Sequence, residues 1–447
     1  MASFQSPGQW RGADSLRPRD PARANLAVIV LTLLGMTYNA WLAIINAHVM
    51  NISFGIAAAV EIVLLAAGIL MALRTGISKN EKNILYFFAL FIVLTLAISL
   101  FNQRIFIDGF RNMMIIVVFV CLGRQANEQT VKKLFIAASV IILAGLIYEL
   151  ADLDGYAALF KPAQYFASSR GIAEFEYDET GLFKNTMGFE GRFSYGIFTG
   201  PRTSSLFLEQ VSLANYAAVL CILLLALWPR MGLKEKALHV ATILLIVTSN
   251  NTRATSLLLL VSFAGYYLYP RLPRYANALA APVFLVVGIV AYHVAPNAHE
   301  DDFVGRTSWT GRHLTNMDPA DYFGMNLDKL EHLWDSGYPW LITSTSVFGL
   351  LAFWLFVTFV IAQKTPAQMR CAYGLTLYIF MNMLVSGNAT FSIKVSAPLW
   401  LLIGLMSGTR LNAAPAPLPQ RQPLSPSRFG KPLAYALTLR QYLRASK

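Results

Sequence analysis

Twelve stretches of this chain are apolar over roughly the 20 residues that a helix needs to cross a bilayer. They lie at about 25–46, 52–73, 83–101, 107–123, 133–151, 204–228, 237–249 (shorter than the rest), 254–270, 276–295, 339–363, 370–386 and 391–408. Backbone polar groups in lipid must be satisfied within the segment, so such runs fold as helices. The expected fold class is therefore an all-α integral membrane protein of about twelve transmembrane helices. Residues 1–24 are expected as a disordered cytoplasmic N-terminus, 25–408 as one polytopic membrane domain, and 409–447 as a Pro-rich, basic cytoplasmic tail. The first run is too long for the apolar core of a signal peptide and reads as a retained span.

Charge sets the orientation. With both termini in the cytoplasm, the cytoplasmic segments hold 24 of the 36 Lys and Arg but only five of the 24 acids. Each short cytoplasmic loop then carries cations, as the positive-inside rule requires. The net charge of +12 is thus a signal of topology and anionic lipid contact, not of nucleic-acid binding. Two long segments fall outside, about 152–203 and 296–338, and loops of that length are usually functional. Cys121, Cys221 and Cys371 sit in or beside apolar runs, too scattered for a disulfide framework or a metal cluster. The histidines lack HxxxH or HExxH spacing, which speaks against a metal. Phosphate-binding glycine loops, Walker motifs and the GxSxG elbow are absent too. No cofactor is called for.

Some cations oppose the positive-inside bias and need a reason to be there. Arg202, in GPRTSSLFLEQ before the sixth span, is expected to face a buried anion. One of Thr203, Ser204 and Ser205 would cap that helix, and Glu209, seven residues on, would orient the arginine from the same helical face. Arg253 lies in TSNNTRATS, a polar link between two spans, where a polar cavity suits it better than lipid. Arg306 and Arg312 flank SWTG at the start of the second long segment. Arginine's planar fork of donors fits phosphate oxygens, and of this pair Arg312 is favoured. Asp108 and Arg111, at i,i+3, look self-paired, and Glu61, Glu149 and Lys394 are embedded without an obvious partner. In DKLEHLWDSGYPW, a helical turn would bring His332 beside Asp335, and a histidine so placed can act as a general base.

These features together resemble the bacterial O-antigen polymerase and O-antigen ligase superfamily, including its exopolysaccharide polymerases. The resemblance is strongest over about Gly200–Phe359. It rests on an arginine at the mouth of a span (Arg202, then SSLFLEQVSLANY) and a Thr-Arg start to a later one (Thr252-Arg253-Ala254-Thr255-Ser256). A long late segment running into a Gly-x-x-Gly-type helix (DSGYPWLITSTSVFGLLAFWLF) completes it. Where many relatives carry a histidine, about eleven residues before that element, this chain has Asp335. The resemblance implies a glycosyltransferase in the bacterial inner membrane that polymerises polyprenyl-diphosphate-linked oligosaccharides at the outer, periplasmic face. Its partners would be that glycolipid, membrane lipids and other polysaccharide-assembly proteins. Arg202, Arg253, Arg306 and Arg312 would serve the diphosphate, and Asp335 or His332 the acceptor hydroxyl. Tyr338 and Trp334 would stack on sugars or anchor at the interface. A ligase that transfers a finished glycan, or a flippase for the lipid-linked sugar, are the rival expectations.

Overall fold

The computed structural model describes residues 21–74, 82–171, 181–182, 193–198, 200–298, 303–333, 335–387 and 389–408. Among these, all regular structure is helical. The first five helices follow in quick succession: α1 (Pro21–His48), α2 (Phe54–Arg74), α3 (Lys82–Phe101), α4 (Ile107–Gln125) and α5 (Glu128–Ala151). Two short helices come next, α6 (Leu153–Phe160) and α7 (Pro162–Arg170). The middle of the chain forms α8 (Gln210–Leu227), α9 (Leu233–Asn250), α10 (Arg253–Leu268) and α11 (Ala280–Val294). Then come α12 (Phe303–Thr315), the one-turn α13 (Pro319–Tyr322), α14 (Gly337–Phe359), α15 (Pro366–Val385) and α16 (Ile393–Ser407).

Each of the twelve apolar runs contains a helix. Seven helical stretches among the described residues are long and apolar enough to cross a membrane: Asn25–His48, Phe54–Arg74, Lys82–Phe101, Glu128–Ala151, Gln210–Arg230, Ala276–Val294 and Gly337–Phe359. The others fall short for two reasons. Helices α10 and α16 are brief, α9 and α4 each carry three charged side chains, and α15 carries polar ones such as Gln368 and Asn382, which are buried. The two long segments between runs hold structure of their own, α6 and α7 in the first, α12 and α13 in the second.

Helix α16 forms the centre. Its residues Ile393–Met406 are all buried, which suits a sequence apolar on every face. It packs most extensively on α4. There the two backbones nearly touch: a Cβ on Gly123 would lie 2.1 Å from the Leu401 carbonyl oxygen, and one on Gly404 would lie 2.2 Å from that of Val120. Small residues permit such contact where lipid offers no hydrophobic force between helices. By contrast α2, α3 and α11 present broad apolar faces to the outside, with Val63, Val93 and Val286 among their exposed residues.

Helix α14 is interrupted at Ser346, whose backbone adopts φ 67° and ψ 170°. That conformation is unusual for any residue with a Cβ. It divides the helix into a first part beside the charged residues described next and a second part running on to Phe359.

Candidate functional site

The charged residues gather at one end of the bundle, where α8, α10, α12 and α14 begin and α5, α9 and α15 finish. The stretch around Arg202 is not helical. Its run is apolar from residue 204, yet α8 starts only at Gln210, after a 3-10 turn at Ser205–Phe207 and a left-handed Leu208. A buried carboxylate explains this. Glu149 of α5 accepts the backbone N–H groups of Ser204 (2.9 Å) and Ser205 (2.6 Å) and the Ser204 hydroxyl (3.1 Å). The Tyr156 hydroxyl donates to the Ser205 carbonyl, and Asn250 donates to the carbonyls of Thr203 and Gln210. Buried backbone groups need partners, and here α5, α6 and α9 supply them. The serines therefore do not cap α8 with their side chains; Glu209 is its N-cap residue.

Arg253 is the first residue of α10. The chain turns out of α9 through a left-handed Asn251, whose side-chain oxygen accepts the Tyr195 N–H at 2.9 Å. The Arg253 guanidinium lies 4.8 Å over the Phe193 ring, a cation–π contact. Arg306 comes from α12. It makes an ion pair with Asp335 at 3.8 Å and also reaches the Val385 carbonyl. Asp335 is held close to α15 because Gly337 packs against it: a Cβ at that glycine would lie 2.7 Å from the Cα atoms of Met383 and Gly387.

Arg202, Arg253, Arg306 and Asp335 all line one cavity of about 170 Å³. Its other walls include Gln210 and Val211 at the start of α8, Ala254 and Thr255 at the start of α10, and Phe303 at the start of α12. Three helix N-termini thus open on it. Helix macrodipoles favour anions at such ends, and they add to three guanidiniums that line the cavity with a single described carboxylate. The remaining wall comes from Ala214, Asn215, Asn251, Thr252, Asn382, Val385 and Ser386.

The other expected residues lie elsewhere. Arg312 is exposed and does not line the cavity. Six residues at 100° each put it about 120° around α12 from Arg306, and its guanidinium sits near Trp309 instead. His332 does not share a helical face with Asp335: the 3-10 helix Leu327–His332 ends there, and the chain turns before Asp335. Its charge, after burial and that of Arg312, helps to hold the His313 ring below the usual histidine range. Glu209 does not orient Arg202. With residues 202–209 irregular, the expected helical spacing never applies, and Glu209 binds Arg170, Lys394 and Ser212. Tyr338 is fully buried, parallel to the Phe380 ring and bonded to the Ala281 carbonyl, so no sugar can stack on it. Trp334 and His299 lie outside the described residues. Arg111 pairs with Glu61 at 2.8 Å and only distantly with Asp108. Among the described residues no three of His, Cys, Asp and Glu come together as metal ligands.

Sequence reasoning missed the neutral part of the lining: Gln210, Asn215, Asn251, Thr252, Asn382 and Ser386. A signal was present, since an amide inside an apolar run needs a polar partner. No family model, no curated protein and no solved structure matches the chain.

Proposed function

We propose that this chain is a multi-pass glycosyltransferase of a bacterial inner membrane that polymerises polyprenyl-diphosphate-linked oligosaccharide units at the outer face. In this reading all twelve helices formed by the apolar runs are embedded, and both termini are cytoplasmic. The carrying observation is the cavity, where Arg202, Arg253 and Arg306 converge from three separate elements in a bundle of apolar helices. A lipid-borne diphosphate is the anion that suits both the charge and the setting.

The chemistry follows from the lining. An acceptor hydroxyl attacks the anomeric carbon of the donor glycan as the bond from that carbon to the diphosphate oxygen breaks. The leaving diphosphate gathers negative charge, which the guanidiniums and helix N-termini meet already in place. The acceptor proton passes to Asp335, which is half-exposed at the cavity edge and oriented by Arg306. The stored energy of the anomeric phosphate bond removes any need for a nucleotide.

Purified protein given a polyprenyl-diphosphate oligosaccharide, without nucleotide, is expected to build a ladder of longer glycans. Arg202→Ala and Asp335→Ala should abolish it. Transfer only to an added foreign acceptor would instead make the chain a ligase. Lipid binding without any new glycosidic bond would point to a flippase.

A further inference from the structure

The stretch from Thr203 to Gln210 folds back on itself, and two buried side chains hold it so. A helix running back from Gln210 would set Arg202 about 12 Å farther along its axis. Instead both residues line the same cavity. Asn250 of α9 ties the ends of the stretch together. Its side-chain amide donates to the Thr203 carbonyl at 2.6 Å and to the Gln210 carbonyl at 3.0 Å, groups that a helix would separate by about 10 Å. Glu149 of α5 holds the turn between them. Its Oε1 accepts the Ser204 N–H at 3.0 Å and the Ser204 hydroxyl at 3.1 Å, and its Oε2 accepts the N–H groups of Ser204 at 2.9 Å and Ser205 at 2.6 Å. Glu149 is 5% exposed and Asn250 is fully buried, and neither lines the cavity.

Neither side chain meets the cavity, so any effect on a ligand there passes through the chain they hold. Arg202 directly precedes that chain. We infer that Glu149 and Asn250 are positioning residues for Arg202: by keeping residues 203–205 out of helical geometry, they set its guanidinium toward the diphosphate, in the cavity it shares with Arg253 and Arg306. This inference rests on the proposed function and deepens it, and it gives the embedded acid of α5 a task. A guanidinium anchored in this way is in place before the ligand arrives, which is what makes a donor effective against a developing charge. Without the two supports the stretch is free to extend α8 backwards, and Arg202 leaves the cavity with it.

The test is a double-mutant cycle read as affinity for polyprenyl diphosphate. It uses the purified full chain, Glu149→Gln, Arg202→Ala and the double variant. Glutamine keeps the shape of the side chain but turns a donor group toward the backbone N–H groups. Glu149→Gln is expected to weaken binding about tenfold where Arg202 is present, the range for a hydrogen bond to a charged group, and less than about twofold where Arg202 is already gone. A residue that merely supports the bundle would weaken binding equally in both backgrounds. That result, or unchanged affinity in Glu149→Gln, would overturn the inference. Asn250→Ala unties the same stretch and leaves the buried carboxylate alone; it should repeat the pattern, and it decides the matter if Glu149→Gln does not fold. Failure of the native chain to bind the lipid would overturn the proposed function itself.

Discussion

Two groups of embedded charge stand near each other in this protein and are built differently. In one, Arg111 meets Glu61, and Arg170 and Lys394 both meet Glu209. Every cation there has a carboxylate in contact, and the Lys394 side chain is 1% exposed. Glu209 faces both cations at once and also accepts the Ser212 hydroxyl. In the other group, three guanidiniums line a cavity with one described carboxylate, Asp335. Arg253 meets a ring face and no carboxylate among the described residues. The first group joins α7, α8 and α16, and α2 to α4, and its charges are spent on one another. In the second, Arg306 pairs with Asp335 and all three guanidiniums border a cavity.

This contrast predicts opposite consequences of mutation. The largest effect is expected from Glu209→Gln, which strands Lys394 without its counter-charge. Breaking a buried pair from one side costs about 3–5 kcal/mol, to be read as lowered thermal stability in detergent. Adding Lys394→Met should restore only part of the loss, because the fully buried cation is gone but the partly exposed Arg170 still lacks Glu209. If Glu209→Gln were stable but inactive, the two groups would not differ in kind.

Arg253→Ala should do the reverse. Glycan extension should fall by about 100-fold, the scale for removing one preorganised donor from a developing anion. Stability should fall by no more than about 1 kcal/mol, the value of the lost ring contact. Arg253→Lys should recover charge without the planar fork, and so only part of the activity. Full recovery would show that charge alone matters at this position.

A third charged site sharpens the comparison through pH. Asp321 is buried and accepts from Lys329, Asn326 and the Asp318 N–H. Burial alone would raise its carboxyl, but those hydrogen bonds outweigh it and keep it low. A carboxyl lowered on folding stabilises the fold above its unfolded pKa, about 3.9, and loses that contribution as pH falls through the folded value. Thermal unfolding at pH 5 and at pH 3 should therefore differ, and Asp321→Asn should remove about 1 kcal/mol of that difference. A difference unchanged in the variant would exclude Asp321 as its source. The smallest effect belongs to Arg312→Ala. Off the cavity and exposed, it should alter stability by less than about 0.5 kcal/mol and turnover by less than about twofold.

The comparison also separates what could be read in the sequence from what could not. Arg202, Arg253, Arg306 and Asp335 were all legible as candidates, because a charge in or beside an apolar run needs a reason to stay. Their partners were not. Helical spacing points from Arg202 to Glu209, but Glu149 draws residues 204 and 205 out of helical geometry, and Glu149 lies 55 residues from Ser204 in the chain. The same kind of spacing puts His332 beside Asp335, which the end of the 3-10 helix defeats. The choice between Arg306 and Arg312 depended on which face of α12 meets α15, and the sequence of α12 does not carry that. Asn382 reads as one amide in an apolar run until Asn215 is set against it.

The sequence by itself determined that the chain is helical and membrane-borne, where its long apolar runs lie, and which charges are out of place. Apolar length and local charge are properties of a segment, and the energy of placing them in lipid hardly depends on the remainder of the chain. Only the tertiary structure decided which charges neutralise each other and which share a cavity. Those pairings are short-range contacts between helices far apart in sequence, and helix rotation, close glycine packing and irregular turns fix them.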